Sequence, residues 1–177
     1  MKKVAVFGKP GSGKSTLSKN LAAATGIALY PLDTIVYEAN GDLVAREVFD
    51  GKHNKILATD SWLIEGFGPI DSFHARLEAA DTLIYIDLPY LVSYWWVTKR
   101  LFKGVFSTPE GWPKGSSIWK GSLQGYKVLK LCPKFWNDDF LQRLEQMSSN
   151  KSLYVVRSVS ELNMFIDTHI ETKTCTQ

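Results

Sequence analysis

Short apolar runs recur along the chain and alternate with longer segments in which apolar and polar residues are mixed. The apolar runs lie at residues 3–7, 28–32, 62–64, 82–86 and 153–156. Near-continuous apolar runs of this length are typical of strands buried on both faces of a parallel sheet. The mixed segments predict helices at residues 15–24, 44–59, 69–80, 90–103, 137–147 and 158–170. This alternation predicts a doubly wound α/β domain.

A glycine-rich motif joins the first predicted strand to the first predicted helix. It fits the phosphate-loop pattern G-x-x-x-x-G-K-[ST] and reads Gly8-Lys9-Pro10-Gly11-Ser12-Gly13-Lys14-Ser15. The glycines allow backbone N–H groups to converge on a β-phosphate, and the helix N-terminus adds a favourable dipole. The alternative is a glycine-rich turn that matches by accident, but the flanking strand and helix favour a phosphate loop.

The motif predicts a role for each of its polar residues. Lys14 is predicted to contact the β- and γ-phosphates and to act in catalysis, and the Ser15 hydroxyl to complete the coordination of Mg²⁺. Thr16 is predicted to support the α-phosphate. The predicted nucleotide-binding residues are Gly8, Pro10, Gly11, Ser12, Gly13, Lys14, Ser15 and Thr16. ATP is the expected nucleotide, although the motif does not distinguish it from GTP.

Acidic residues end three of the predicted strands, at the edge where open parallel sheets bind ligands. Asp33 is predicted to orient or deprotonate an attacking hydroxyl, with a helix cap as the alternative. Glu65, followed by Gly66, is predicted to contact Mg²⁺ through water or to hold the acceptor, with a structural hydrogen bond as the alternative. Asp87 is predicted to cap the next helix, with catalysis as the alternative. Arg76 is predicted to reach an anionic acceptor, with a surface role as the alternative.

Positive charge is concentrated in one internal segment. Residues 90–136 contain eight Lys or Arg and one acid, a balance of +7, whereas the rest of the chain has thirteen basic and seventeen acidic residues and a balance of −4. Residues 104–136 are rich in glycine, favour no regular element and are predicted to form a mobile lid. Just before them, Lys99 and Arg100 are predicted to stabilise the transferring phosphoryl group, with a solvated helix face as the alternative.

Three tryptophans of the same segment, Trp112, Trp119 and Trp136, alternate with lysines. Aromatic and cationic side chains together are typical of surfaces that stack bases and hold phosphates. Packing anchors of a folded lid are the favoured alternative. Nucleic-acid binding therefore stands as a second hypothesis.

Composition adds a few limits. At 177 residues, with 45% hydrophobic and 22% charged residues, the chain is expected to form a single domain over residues 1–177. It contains no run long enough to span a membrane and no N-terminal leader, so a cytoplasmic protein is expected. A monomer or homodimer is expected. Cys132 and Cys175 lack metal-ligand spacing and are expected to be reduced thiols.

These motifs resemble those of the small P-loop kinases of the adenylate kinase and shikimate kinase type. The chain looks most similar to the adenylate kinase-related proteins often labelled DNA topology modulation proteins. The segments that carry the resemblance are Leu32-Asp33, Trp62-Leu63-Ile64-Glu65-Gly66, Arg76-Leu77-Glu78-Ala79-Ala80-Asp81-Thr82, Asp87-Leu88-Pro89, Lys99-Arg100 and Cys132-Pro133-Lys134-Phe135-Trp136. The resemblance implies a three-layer α/β/α P-loop fold, a five-stranded parallel sheet of order 2-3-1-4-5, ATP on the loop, an acceptor side near Asp33 and Glu65, and a closing lid.

Two departures narrow what the resemblance implies. Adenylate kinases carry Asp-Gly-Phe-Pro-Arg after the third strand, whereas this chain has Glu65-Gly66-Phe67-Gly68-Pro69 and lacks the arginine that grips AMP. AMP held in the usual way is therefore not the expected acceptor. Residues 104–136 of the predicted lid contain no arginine, so only Arg100, which precedes them, is carried over as a catalytic arginine. The leading hypothesis is a Mg²⁺-ATP-dependent phosphotransferase for an unidentified small molecule, and the alternatives are a nucleotide-dependent nucleic-acid-binding protein and a simple ATPase.

Overall fold

Five parallel strands form one sheet in the computed structural model, which describes residues 1–38, 42–106 and 118–169. The strands are β1 (Lys3–Gly8), β2 (Leu29–Pro31), β3 (Trp62–Glu65), β4 (Thr82–Ile86) and β5 (Ser152–Val156). Their order across the sheet is β2-β3-β1-β4-β5, and all four pairings are parallel. The predicted α/β class and the 2-3-1-4-5 order are confirmed.

Helices connect the strands and cover both faces of the sheet. They are α1 (Lys14–Thr25), α2 (Asp33–Val36), α3 (Arg46–Leu57), α4 (Ile70–Ala79), α5 (Tyr90–Phe106), α6 (Ile118–Leu131), α7 (Asp138–Met147) and α8 (Val159–His169), and a 3₁₀ turn at Cys132–Lys134 joins α6 to α7. The six predicted helices all occur, with ends that shift by at most three residues. Within the described ranges, no helix is long and apolar enough to cross a membrane.

Two helices were not predicted. The first, α2, has only four residues, too few to show a helical period. The second, α6, lies in the glycine-rich segment for which the sequence favours no element. Gly125 of α6 faces Val97 of α5, and Tyr126 stacks on Tyr94 with 6.0 Å between ring centres. Packing against α5 therefore outweighs the glycine content, while residues 107–117 of the predicted lid lie outside the described part of the chain.

Successive residues of the strands point into two separate cores, one on each face of the sheet. On one face, Phe7 of β1 packs against Phe73 of α4 and Phe140 of α7, with ring centres 5.3 and 6.3 Å apart. On the other face, Val6 belongs to the same cluster as Leu17 of α1. Both cores are buried, so the sheet is a rigid support for the residues at its C-terminal edge.

A histidine lies in the first of these cores. His53 of α3 is 1% exposed and stacks on Phe49, with 5.6 Å between ring centres. Burial, together with the nearby positive charge of Arg76, lowers the pKa of His53 to about 4, although the negative charge of Asp50 acts to raise it. The ring is therefore neutral in the folded protein at pH 7.

Acid is expected to destabilise the fold through His53. Between pH 6.5 and pH 4 the unfolded chain takes up a proton on this residue and the folded chain does not, so the free energy of unfolding falls as the pH falls through this window. From pH 7 to pH 4.5 the expected loss is about 2 kcal/mol. Denaturant titration at the two pH values should show this loss in the wild type but not in His53→Phe, which keeps the stacked ring.

The exposed His74 provides the control for this experiment, because His74→Phe removes an imidazole that the fold does not bury. His74→Phe should retain the wild-type pH dependence. An equal loss of stability in the wild type and in His53→Phe would contradict the assignment to His53.

Candidate active site

The motif Gly8–Ser15 forms a tight loop between β1 and α1. A Cβ on Gly8 would lie 2.2 Å from the carbonyl oxygen of Ile86, so only glycine allows β1 and β4 to approach this closely at their ends. Gly13, with a φ of 84°, makes a left-handed turn directly before α1. The loop therefore lies at the C-terminal edge of the sheet.

The N-terminus of α1 has the character of an anion site. Gly13 provides no capping side chain, and the first turn of α1 contains no acidic residue. Backbone N–H groups at a helix N-terminus, next to the positive end of the helix dipole, bind phosphate groups. The Lys14 ammonium adds a full positive charge and donates to the carbonyl oxygen of Lys9 at 2.8 Å.

A half-buried ion pair fixes the loop to the sheet. The Lys9 ammonium donates to the carboxylate of Asp87, the residue that follows β4, and lies 4.4 Å from the ring centre of Tyr90. Lys9 is 3% exposed. Asp87 therefore anchors the phosphate loop to β4.

Glu65 and Ser15 come together beside the loop. Glu65 is the last residue of β3 and pairs in register with Val6 of β1. The Ser15 hydroxyl donates to Oε2 of Glu65 at 3.4 Å. Among the residues that the structure describes, no group of three or more His, Cys, Asp or Glu is placed to hold a metal ion. One hydroxyl and one carboxylate suit Mg²⁺, which keeps several waters and binds phosphate oxygens.

Asp33 and the loop line the same cleft. The N–H of Leu32 donates to the carbonyl oxygen of Glu65 at 2.8 Å, which holds the end of β2 beside the end of β3. Asp33 is exposed and is the first residue inside α2, whose N-cap is Leu32. The helix-cap alternative for Asp33 is therefore not observed, and its carboxylate shares the cleft with Glu65.

Arg76 lies behind the turn after β3, formed by Gly66 and Phe67, and not among the residues that line the cleft. Its Nη2 donates to the carbonyl oxygens of Gly66 and Phe67, both at 2.9 Å, and the residue is fully buried. Burial lowers the pKa of Arg76 to about 9, an effect that Glu65 opposes. The surface alternative for Arg76 is wrong, since its guanidinium supports the turn after β3 from inside the protein. Its predicted contact with an acceptor stays a prediction.

An aromatic wall, consisting of Phe67, Phe135 and Trp136, borders the same turn. The ring of Phe67 lies 4.8 Å from that of Phe135 and 5.5 Å from that of Trp136. Trp136 also stacks on Tyr85, with 5.2 Å between ring centres. Of the three tryptophans behind the nucleic-acid hypothesis, Trp136 is thus a packing anchor, whereas Trp112 and the side chain of Trp119 lie outside the described residues.

One cleft of about 410 Å³ brings the loop, the two carboxylates and the aromatic wall together. Its lining comprises Gly8, residues 10–16, Asp33, residues 65–67, Val128, Leu131, Cys132, Phe135 and Trp136. Every predicted nucleotide-binding residue lines it, as do Asp33, Glu65 and Gly66. Lys99 is exposed on α5, and Arg100 lies on the same helix with a side chain outside the described part.

Sequence reasoning missed the apolar side of this cleft. Val128 and Leu131 come from the unpredicted α6, and Cys132 is buried where α6 ends. Burial raises the pKa of the Cys132 thiol, although the positive charges of the nearby Lys9 and Lys14 act to lower it. The only signal in the sequence was the aromatic pair Phe135 and Trp136, which directly precedes the predicted helix cap Asn137. That cap is observed, because the Asn137 side chain accepts a hydrogen bond from the Phe140 N–H at 2.9 Å.

Comparison with known proteins identifies the fold. A shikimate kinase from Acinetobacter baumannii, in complex with shikimate, matches with a TM-score of 0.56 and 14% identity, covering 98% of this chain and 95% of its own. A gluconokinase from Sinorhizobium meliloti 1021 matches with a TM-score of 0.50 and 14% identity, covering 98% and 91%. No family model and no curated protein matches the sequence.

The fold is therefore the α/β fold of the P-loop kinases, as the resemblance implied. At 14% identity these similarities establish the fold alone. The expected closeness to the DNA topology modulation proteins is not supported by these matches, which are to a shikimate kinase and a gluconokinase.

Proposed function

We propose that the protein is a kinase that transfers the γ-phosphoryl group of Mg²⁺-ATP to a hydroxyl group of a small molecule. The observation that carries the proposal is the single cleft that the phosphate loop and Asp33 both line. Two structures of the same fold are small-molecule kinases, which favours this class of reaction. Phosphoryl transfer needs mainly positioning and charge stabilisation, and this cleft offers both.

The donor half of the site is built from β1, the loop and α1. The loop N–H groups and Lys14 bind the β- and γ-phosphates, and Thr16 supports the α-phosphate. Ser15 and Glu65 would hold Mg²⁺, which would supply positive charge beside the phosphates. Arg100 remains the candidate residue that would place a further positive charge next to the transferring phosphoryl group.

Asp33 is proposed as the residue that acts on the acceptor. Its carboxylate accepts a hydrogen bond from the attacking hydroxyl and takes the proton as the new bond from oxygen to the γ-phosphorus forms. The bond between that phosphorus and the β–γ bridging oxygen breaks, and ADP leaves. Glu65 and Gly66 border the acceptor on the β3 side, and Arg76 keeps their turn in place.

Substitution of Glu65, the second carboxylate of the cleft, is expected to raise the Mg²⁺ concentration that the reaction needs. Glu65→Gln keeps the size of the side chain but removes the charge next to Ser15, so the Mg²⁺ concentration needed for half-maximal activity should rise by about 10- to 100-fold. Mg²⁺ titration of ADP formation measures this change. Glu47→Gln, an exposed change on α3, is the control, and an unchanged Mg²⁺ requirement in Glu65→Gln would contradict the role of Glu65.

Transfer of labelled phosphate tests the proposed function. ATP labelled in the γ-phosphate is incubated with the protein and pools of nucleosides, sugars, polyols and hydroxy acids, and the products are separated. Label on an organic compound is the expected result. Release of inorganic phosphate alone, unstimulated by any pool, would instead favour the simple ATPase. Nucleic-acid binding that persists in a salt titration would favour the nucleic-acid-binding hypothesis.

A further inference from the structure

The helix α5 carries a stripe of large apolar side chains on its outer side. Leu91 is 84% exposed, Trp95 64% and Phe102 66%. Their spacing along the helix places all three within an arc of about 40°. Single exposed apolar residues are ordinary, but three large ones on the same side of one helix are typical of an interaction surface. These three residues are called the α5 stripe below.

Packing within the protein accounts for other sides of α5. Val97 lies against Gly11 of the phosphate loop and is buried. Tyr94 stacks on Tyr126 of α6, with 6.0 Å between ring centres. These contacts explain the apolar residues that α5 turns toward the loop and toward α6. They leave the α5 stripe uncovered.

The charged residues of α5 and α6 are all positive. The two helices together contain six Lys or Arg and no Asp or Glu. Lys99 is exposed one helical turn after Trp95. Lys130 is exposed one turn after Tyr126, whose ring stacks on α5. A partner that covers the α5 stripe therefore also meets positive charge, which favours a negatively charged partner.

We propose that the α5 stripe binds the surface of a membrane that contains anionic phospholipids. Helices that lie on membranes combine Leu, Trp and Phe on one side with Lys or Arg beside them, and they bury the apolar side chains at the boundary of headgroups and acyl chains. The lipid phosphates attract the neighbouring lysines. This inference goes beyond the proposed function and does not depend on it.

The same features disfavour two other partners. A second copy of the chain, bound symmetrically through the α5 stripe, would bring two positively charged helix pairs together. Nucleic acid would match the charge, but Leu91, the most exposed residue of the α5 stripe, has no ring that stacks on a base. A lipid surface suits the positive charge, the aromatic rings and the aliphatic side chain.

Vesicle flotation tests the proposal. The full chain is mixed with vesicles of phosphatidylcholine alone, or with vesicles in which about one third of the lipid is phosphatidylglycerol, and the bound protein is measured after flotation. Wild-type protein should bind the anionic vesicles at least about tenfold more tightly than the neutral ones. The reason is that Lys99 and Lys130 should each favour the charged surface by about fivefold.

Substitutions separate the apolar contribution from the charge. The double variant Leu91→Gln, Trp95→Gln removes apolar area at two exposed positions and should weaken binding to anionic vesicles by about tenfold or more. Lys99→Gln should weaken binding to anionic vesicles by about fivefold and leave binding to neutral vesicles unchanged. Met164→Gln on α8 is the matched control, because Met164 is 59% exposed and lies outside the α5 stripe. It should bind both kinds of vesicle like the wild type.

Four results would overturn the proposal. The first is a wild-type protein that does not bind anionic vesicles, and the second is equal binding by the wild type and the double variant, which would place the lipid contact elsewhere. The third is a dimer in sedimentation that the double variant abolishes, without vesicle binding, which would assign the α5 stripe to a second copy. The fourth is binding of single-stranded DNA that the double variant loses, again without vesicle binding.

Discussion

Replacing Lys14 with alanine is expected to lower kcat for phosphoryl transfer by about 1,000-fold or more. Lys14 begins α1 and is the one cation on the described lining of the cleft. In the transition state, negative charge accumulates on the oxygens around the γ-phosphorus and on the leaving phosphate. Without the ammonium, the loop N–H groups face that charge without the one cationic side chain on the described lining. Steady-state ADP formation and transfer of labelled phosphate measure the loss.

The same substitution should leave the fold intact. The side chain of Lys14 is half-buried, its bond to the Lys9 carbonyl oxygen lies within the loop, and alanine favours a helix. Thermal unfolding of Lys14→Ala should therefore resemble that of the wild type. Lys52→Ala, an exposed change on α3, is the matched control and should keep full activity. Wild-type turnover in Lys14→Ala would show that the reaction does not take place at this loop.

The donor half of the site could be predicted from the sequence because its parts are local. The loop residues are consecutive, and their position between a strand and a helix follows from the apolar pattern alone. The sheet was predictable for a related reason: strands such as β4 are buried on both faces, so their apolar runs are continuous. Strand order came from the family resemblance and not from the pattern.

The acceptor half could not be predicted in the same way because its parts come from distant segments. The aromatic wall joins Phe67, which follows β3, to Phe135 and Trp136, which follow α6. Nothing in a local pattern shows that two such segments meet. The burial of Arg76 could not be predicted from the sequence either. A cation at a helical position is usually exposed, and only the fold shows that this one is buried.

Replacing Asp33 with asparagine is expected to lower kcat by about 10²- to 10⁴-fold. Asparagine has nearly the same shape and still accepts a hydrogen bond from the acceptor hydroxyl, but it cannot take the proton. The loss should therefore fall on kcat, while KM for ATP stays within about twofold, because the donor half of the site is unchanged. Rates of labelled transfer at saturating ATP, with the acceptor varied, give kcat and the acceptor KM, and rates at saturating acceptor, with ATP varied, give the KM for ATP.

Asp60→Asn is the matched control, because it makes the same chemical change at an exposed residue two positions before β3, at the opposite edge of the sheet. It should keep wild-type kcat. A rise in acceptor KM alone in Asp33→Asn would mean that Asp33 binds the acceptor but does not take its proton. Unchanged kinetics in Asp33→Asn would remove Asp33 from the reaction and leave Glu65 as the carboxylate that acts on the acceptor, since these are the two carboxylates on the described cleft lining.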